Sequence, residues 1–149
     1  DFLTKKFEKK IVLKWPNDLL SEDGRKFGGV LINRHGNGDL VIGAGINLWP
    51  IYNQEELSLK ACGLLEAKRP FSSKKLSLEI YNYILSHRET SKEIISKWNQ
   101  SCIHLNKQVC IKEKSHSHNG VFVGIGSNGQ AILKNDQKTT EVYTGSLFF

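Results

Sequence analysis

Pro16 interrupts an apolar stretch, and the residues on either side of it limit how this chain can fold. Leu13-Lys-Trp-Pro-Asn-Asp-Leu-Leu20 sets a cation, an amide and a carboxylate next to a chain reversal. Proline fixes φ and brings no N–H, so a strand over Ile11–Trp15 should stop there. Asn17 and Asp18 then fall in a loop, where polar side chains are free to face a ligand. Glu22-Asp23-Gly24 has the composition of a hairpin turn. It returns the chain so that Lys26 enters the next strand close to the polar group. Gly28 and Gly29 follow at once, and glycines inside a strand mark a bulge or a close approach to the backbone. On these residues alone two readings stay open: a charged hairpin between core strands, or a polar site floored by bare backbone.

Asp39-Leu-Val-Ile-Gly-Ala-Gly-Ile-Asn-Leu48 repeats the pattern, an apolar run broken by Gly43 and Gly45 and ending in Asn47. Val30–Ile32 reads as a short buried strand and Leu40–Ile46 as a second one. Arg34-His-Gly-Asn-Gly38 is the turn between them, with His35 a solvated turn residue. Antiparallel neighbours joined by short turns, with helices elsewhere, predict an α+β fold: a mixed or antiparallel sheet with flanking helices.

The remaining segments supply those helices. Phe2, Leu3 and Phe7 have helical spacing, as for the tail of a helix feeding the first strand. Glu55 to Gly63 reads as a short helix with Gly63 as its C-cap. Ser73 is a candidate N-cap for a helix from Lys74 to about His87, with Leu76, Ile80, Tyr83, Ile84 and His87 on one face. A further helix, Ser91 to about Gln100, presents Ile94, Ile95 and Trp98. Trp49-Pro-Ile-Tyr-Asn53 is either a linker that packs Trp49 on the core or a loop that orders over a ligand, since bulky apolar residues exclude water once closed. From Lys107 onward short strands alternate with turns: Gln108–Lys112, Gly120–Ile125, Ala131–Lys134 and Thr139–Tyr143, with Ser127-Asn-Gly129 a hairpin signal. Four or five such strands predict a small closed sheet of SH3-like type. The predicted division is residues 1–103 and 104–149. His116 and His118 form an H-x-H in the loop Lys114–Gly120, but no third ligand lies nearby, so a polar loop is expected rather than a metal site.

The formal charge of +6 suits an anionic ligand such as a nucleotide. The lysines are scattered and not interleaved with aromatics, so a Lys-rich background explains them equally well. No apolar run approaches the ~20 residues of a membrane span. Three cysteines, Cys62, Cys102 and Cys110, form no C-x-x-C pair and fit a reducing, cytoplasmic setting. The chain begins at Asp1 and contains no methionine, which predicts a trimmed or cropped product. No secretory signal precedes the first strand.

Lys14-Trp-Pro-Asn-Asp18, Arg25-Lys-Phe-Gly-Gly-Val-Leu-Ile-Asn33 and Val41-Ile-Gly-Ala-Gly-Ile-Asn47, in that order and at about that spacing, together resemble the catalytic domain of biotin–protein ligases. The resemblance runs from about Ile11 to the C-terminus. It implies a class II synthetase-like biotin/lipoate ligase core, N-terminally truncated, followed by an SH3-like β-barrel. The family's Gly/Arg-rich loop over biotin and the adenylate has no counterpart here. The implied activity is that of a biotin–[acetyl-CoA-carboxylase] ligase: biotin and ATP give biotinyl-5′-AMP, and biotin passes to a lysine of a biotin carboxyl carrier domain of acetyl-CoA carboxylase or a similar carboxylase. That chemistry needs a fixed cation where a carboxylate meets the α-phosphate, and such preorganised charge is commonly the largest catalytic contribution. The resemblance places the catalytic lysine at Lys26, a compact charge able to follow moving oxygens. It assigns Lys14 to the nucleotide phosphates, Asn17 and Trp15 to the adenylate site, and Gly28, Gly29, Gly43 and Gly45 to a floor under biotin and the acyl-phosphate. Asn47 goes to the adenine or its ribose and Trp49 to the lid. Asp18 is the candidate ligand for Mg²⁺, which prefers oxygen donors and shares phosphates with carboxylates. A homodimer is compatible, and no DNA-binding domain is visible in the chain. A lipoate-type ligase of the same fold, or a non-catalytic nucleotide- or partner-binding remnant, are the rival readings.

Overall fold

The computed structural model describes residues 1–51, 60–67, 70–136 and 138–149. Helix α1 (Phe2–Phe7) leads into β1 (Ile11–Lys14), β2 (Asp18–Ser21), β3 (Lys26–Arg34) and β4 (Leu40–Ile46). Helices α2 (Ser73–Ser86) and α3 (Ser91–Ser101) follow, then β5 (Gln108–Lys112), β6 (Ser117–Ile125), β7 (Ala131–Asn135), β8 (Lys138–Val142) and β9 (Ser146–Phe148). The strands form two antiparallel sheets, ordered β1-β2-β3-β4 and β8-β7-β6-β5-β9. The α+β expectation is met. Among the described residues no helix is long and apolar enough to cross a membrane.

Pro16 ends β1, after a cis Trp15–Pro16 bond. Asn17 lies in the turn as expected, but Asp18 does not. Asp18 already opens β2 and stands opposite Lys14 in the antiparallel register. Period-two alternation then buries Asp18 and Leu20 together. A register shift between Leu19 and Leu20 lets β2 pair with β3, where Asp18 faces Gly29 and Leu19 faces Gly28.

The β3–β4 hairpin departs further from expectation. Register places Ile32 opposite Ile42 and Leu31 opposite Gly43. Both strands were expected to be buried, yet Leu31, Ile32, Leu40, Val41 and Ile42 are each 50–64% exposed. The base of the hairpin is covered, where Phe27 enters the core.

That first core gathers Phe27, Leu48, Cys62, Leu64 and Leu76, with Phe2, Phe7, Ile11, Ile46 and Ile80 packed around it. The predicted helix Glu55–Gly63 lies partly outside the described residues, as do Tyr52 and Asn53. Its described end is extended, not helical. The Lys26 N–H donates to Lys60 O at 2.9 Å and the Cys62 N–H to Lys26 O at 2.9 Å, a parallel bridge onto β3. Gly63 is therefore no C-cap. Its α-carbon sits against the Trp49 backbone so closely that a Cβ would meet Trp49 O at 2.3 Å.

Helix α2 is capped by Ser72 rather than Ser73, Ser72 Oγ accepting from the Lys75 N–H at 3.1 Å. Leu76 and Ile80 face the first core as predicted, while Ile84 and His87 are exposed. Helix α3 opens with a capping box between Thr90 and Glu93. It joins the second sheet through Trp98, which packs on that core, and through Asn99 Oδ1, which accepts from the Ile125 N–H at 3.2 Å.

The second core contains Val109, Ile111, Phe122, Ala131, Leu133, Val142 and Leu147 from the five-stranded sheet, and Trp15 from the turn after β1. The Trp15 indole N–H donates to Gly129 O at 3.0 Å. The four predicted strands are present to within three residues at each end, and β9 is the strand that was not individually foreseen. Among the described residues the ladder is open, with β8 and β9 as its two ends. The closed SH3-like barrel is thus not what the pairing gives.

Candidate functional site

A cleft of about 510 Å³ opens where the end of β1 and the start of β3 face β9. Lys14, Pro16, Asn17, Asp18 and Lys26 line one side, and residues 145–149 the other. The cluster follows from register. Lys14 and Asp18 are opposed on β1 and β2, and Asp18 is opposed to Gly29 on β3. Because Gly29 has no side chain, Lys26 can fold back over it. A Cβ at Gly29 would lie 3.2 Å from Asn17 O, 3.7 Å from Asp18 Oδ1 and 3.9 Å from Lys26 Cε. The Val30 N–H donates to Asn17 O at 3.0 Å and fixes the turn.

The outcome is one carboxylate between two ammonium groups. Lys26 Nζ is 2.5 Å from Asp18 Oδ1, and Lys14 Nζ is 3.9 Å from Asp18 Oδ2. The side chains of Lys14 and Asp18 are each 10% exposed, whereas that of Lys26 is 40% exposed. Burial pushes the Lys14 ammonium below the usual lysine range; Asp18 opposes that shift and the neighbouring charge of Lys26 adds to it.

Such a cluster suits an anion. Two cations beside one carboxylate leave a net positive site at the mouth of a cleft, and Lys26 is the member that solvent can reach. It does not by itself suit Mg²⁺: each oxygen of Asp18 faces an ammonium group, and the described residues contain no set of three metal-ligating side chains. His118 Nε2 is 3.0 Å from Glu113 Oε2 and His116 Nδ1 is 2.7 Å from Ser115 Oγ, so the H-x-H pair meets local partners.

The other predicted residues fall into distinct places. Gly28 faces β4 so closely that a Cβ would meet Gly45 O at 2.6 Å. Gly43 and Gly45 have open space where a side chain would be. Asn47 is exposed; its backbone N–H donates to Phe27 O and its carbonyl accepts from the Leu64 N–H. Trp49 is 37% exposed, just beyond that anchored residue. Trp15 is buried in the second core and does not line the cleft.

Sequence reasoning missed His104 and the residues of β9. His104 is fully buried, its ring 4.3 Å from that of Phe122 and 5.5 Å from that of Phe149. Among the described residues neither ring nitrogen has a hydrogen-bond partner. Burial above all, and the charges of Lys14 and Lys107, lower its pKa to about 4. The imidazole is therefore neutral at pH 7. Nothing around His104 in the sequence marks it, because its walls come from distant segments. A larger cleft of about 650 Å³ lies near Cys62. Most of its rim charges are already paired, Lys9 with Glu66, Lys10 with Glu22 and Arg25 with Asp23, so it offers less to a charged ligand.

Comparison with known proteins places this geometry in context. Residues 3–47 match the model of the Biotin/lipoate A/B protein ligase family, a span that includes Lys14, Asp18, Lys26 and Gly29. Over 142 residues the chain is 28% identical to the bifunctional ligase/repressor BirA of Escherichia coli, and equally to that of Salmonella typhimurium. The match takes in 85% of this chain but 42% of each relative, so the chain spans less than half the length of the curated relatives it matches. The biotin protein ligase of Aquifex aeolicus, solved in complex with biotin and ATP, superposes with a TM-score of 0.79 at 25% identity. That superposition covers 98% of this chain and 65% of the Aquifex one. A biotin protein ligase-like protein of unknown function from Silicibacter shares the fold, with a TM-score of 0.61 at 16% identity over 95% of this chain and 65% of the other.

Proposed function

We propose that this chain forms part of a biotin–protein ligase, which joins biotin to ATP as biotinyl-5′-AMP and passes the biotinyl group to a lysine of a biotin carboxyl carrier domain. The observation that carries the reading is the pair of ammonium groups on Asp18, set at a cleft mouth inside the span that matches the ligase family model.

In the first step the biotin carboxylate attacks the α-phosphorus of ATP. An acyl–oxygen–phosphorus bond forms, and the bond to pyrophosphate breaks. Two anions must approach, so a cation at the point of contact lowers the barrier. Lys26 takes this role because it is exposed to the cleft and lies over side-chain-free Gly29. Lys14, buried beside Asp18, takes the nucleotide phosphates. Asn17 contributes an amide at the turn. Asp18 orients both cations before the ligand arrives. In the second step the neutral amine of the acceptor lysine attacks the acyl carbon, AMP leaves, and the amine loses a proton. Cys102 is no covalent intermediary: burial raises its thiol pKa to about 11, so it stays protonated. Gly28 and Gly45 bring two backbones together behind the cluster, and Asn47 and Trp49 would meet the adenosine and shield the adenylate.

The test is biotin-dependent exchange of labelled pyrophosphate into ATP, measured on this chain. The expected result is exchange that falls by about 100-fold or more in Lys26→Ala, with an unchanged far-ultraviolet spectrum. Exchange driven by lipoate and not by biotin would favour the lipoate-type reading. ATP binding without exchange of either kind would favour a nucleotide-binding remnant.

A further inference from the structure

His104 is fully buried, yet among the described residues both of its ring nitrogens go unpaired. A buried polar ring without partners is costly, and an orphan of this kind calls for a reason. A phenylalanine would fill the same space between Trp98, Phe122 and Phe149 without that penalty. The place of the ring in the fold supplies a reason. Leu13 and Cys102 form a parallel bridge, and the Ile103 N–H donates to Leu13 O at 3.0 Å. His104 therefore comes abreast of Lys14 and Trp15 at the far end of β1. Phe149 is shared between the two places. Its ring lies 5.5 Å from the imidazole, and the same residue lines the cleft opposite Lys14 and Lys26. It is 53% exposed, so its cover over His104 is thin.

The charged groups that act on the ring are Lys14 from β1 and Lys107 just before β5, both positive. The Cys102 thiol at the end of α3 accepts from the His104 backbone N–H and stays protonated. Trp98, Phe122 and Phe149 bring no charge. In the empty cleft the imidazole is thus neutral for two reasons: it is dry, and its charged neighbours repel a proton. An anion beside Lys14 weakens the second reason, because an opposite charge favours the protonated form.

We propose that His104 is a third cation held in reserve for a polyphosphate in this cleft: Phe149 moves aside, the imidazole takes a proton from solvent, and the imidazolium donates to a phosphate oxygen. A charge-assisted bond of this kind is stronger than a neutral one, and it satisfies a nitrogen that the empty site leaves bare. The inference rests on the reading of the cleft as a site for the phosphates of a nucleotide. Proton and polyphosphate then raise each other's affinity by the same factor.

The probe is inorganic pyrophosphate, with adenosine as the phosphate-free control. The imidazole resonances of the intact chain are followed by NMR, which needs no variant. Binding is measured by calorimetry at pH 8 and pH 5.5 for the parent, His104→Phe and Phe149→Ala. Pyrophosphate and Lys14 titrate too, so each quantity is read as the difference between parent and His104→Phe. Uncovering moves His104 from about 4 toward its ordinary 6.5. At pH 5.5 the parent should therefore take up roughly one more proton on binding than His104→Phe. The ratio of their affinities should rise about tenfold in favour of the parent between pH 8 and pH 5.5. Phe149→Ala leaves Leu147 in the second core and should bring His104 toward its ordinary titration with no ligand present.

Pyrophosphate that binds while His104 stays neutral, or an affinity ratio flat with pH, overturns the inference and leaves the two-lysine site standing. A His104 response to adenosine overturns the assignment to phosphate, and an unmoved titration in Phe149→Ala overturns the role of that ring as a cover. Absence of pyrophosphate binding in the parent sinks the phosphate-site reading and the inference together. A His104 response without pyrophosphate exchange into ATP would sink the ligase activity alone.

Discussion

Lys26 Nζ lies 2.5 Å from Asp18 Oδ1, and the same carboxylate holds Lys14 through its other oxygen at 3.9 Å. The cations are thus arranged around a built-in anion that an anionic ligand would have to compete with. Replacing Asp18 by Asn removes the competitor and leaves two ammonium groups facing each other. Stability should fall by about 1–2 kcal/mol, a discounted figure because Lys26 remains partly hydrated. Affinity for inorganic pyrophosphate should rise several-fold. Urea unfolding and calorimetry on Asp18→Asn measure both, and an unchanged midpoint with unchanged pyrophosphate affinity would show that the carboxylate does not govern the site.

Lys14 gives a pH dependence of definite sign. Its folded pKa is lowered, chiefly by burial. Between that value and the ordinary 10.5 the native state binds fewer protons than the unfolded one, so this group makes stability rise with pH through that window. Below the window the buried charge is a constant cost. Lys14→Met keeps the apolar stem and removes the titration. The difference in urea midpoint between parent and variant should shift in favour of the parent from pH 7 to pH 10. A difference that is flat with pH would mean that Lys14 is solvated in solution.

How far the sequence revealed this arrangement depended on how local the cause was. Pro16 ending β1 and the Glu22–Gly24 turn returning Lys26 toward Asp18 are consequences of backbone chemistry within a few residues, and both are observed. Strand β2 escaped notice because it is four residues long and follows a proline turn. Residues 60–65 carry apolar spacing that fits a helix, but Lys60 and Cys62 bond to Lys26 of β3, and Leu64 and Leu65 bond to the carbonyls of Asn47 and Leu48. The apolar run of β4 was legible as something to be covered, and its exposure among the described residues was not. Burial of Lys14 and Trp15 depends on a second sheet nearly a hundred residues away, which no local pattern announces.

His104 should make the fold sensitive to mild acid. Its pKa falls from 6.5 to about 4 on folding, mainly through burial among aromatic rings. Between those values the unfolded chain binds the extra proton, so stability is fully present above about pH 6.5 and is lost as the pH falls toward 4. The loss by pH 4 should reach about 1–3 kcal/mol from this residue. His104→Phe keeps an aromatic body against Phe122 and removes both unpartnered nitrogens. Its stability should decline less steeply over that range in chemical unfolding at pH 7, 5.5 and 4.5. An identical slope in parent and variant would show that His104 does not titrate abnormally.

The glycines of the first sheet should separate into two kinds when a methyl group is added. At Gly28 the new Cβ would lie 2.6 Å from Gly45 O, a backbone atom that cannot rotate away. The strands must part, so Gly28→Ala should cost about 1–3 kcal/mol, as overpacking does elsewhere. The separation of β3 from β4 would also disturb Lys26, two residues before Gly28 on β3, and pyrophosphate binding should weaken alongside stability. At Gly43 nothing lies within 4 Å and its φ is unremarkable. Gly43→Ala in the isolated chain should be neutral or stabilising by about 0.4–1 kcal/mol, because it restricts the unfolded backbone. The pair of variants is read together by thermal and urea unfolding. Equal effects at the two positions would mean that the close approach of Gly28 to Gly45 is not maintained, and with it the floor behind the lysine pair.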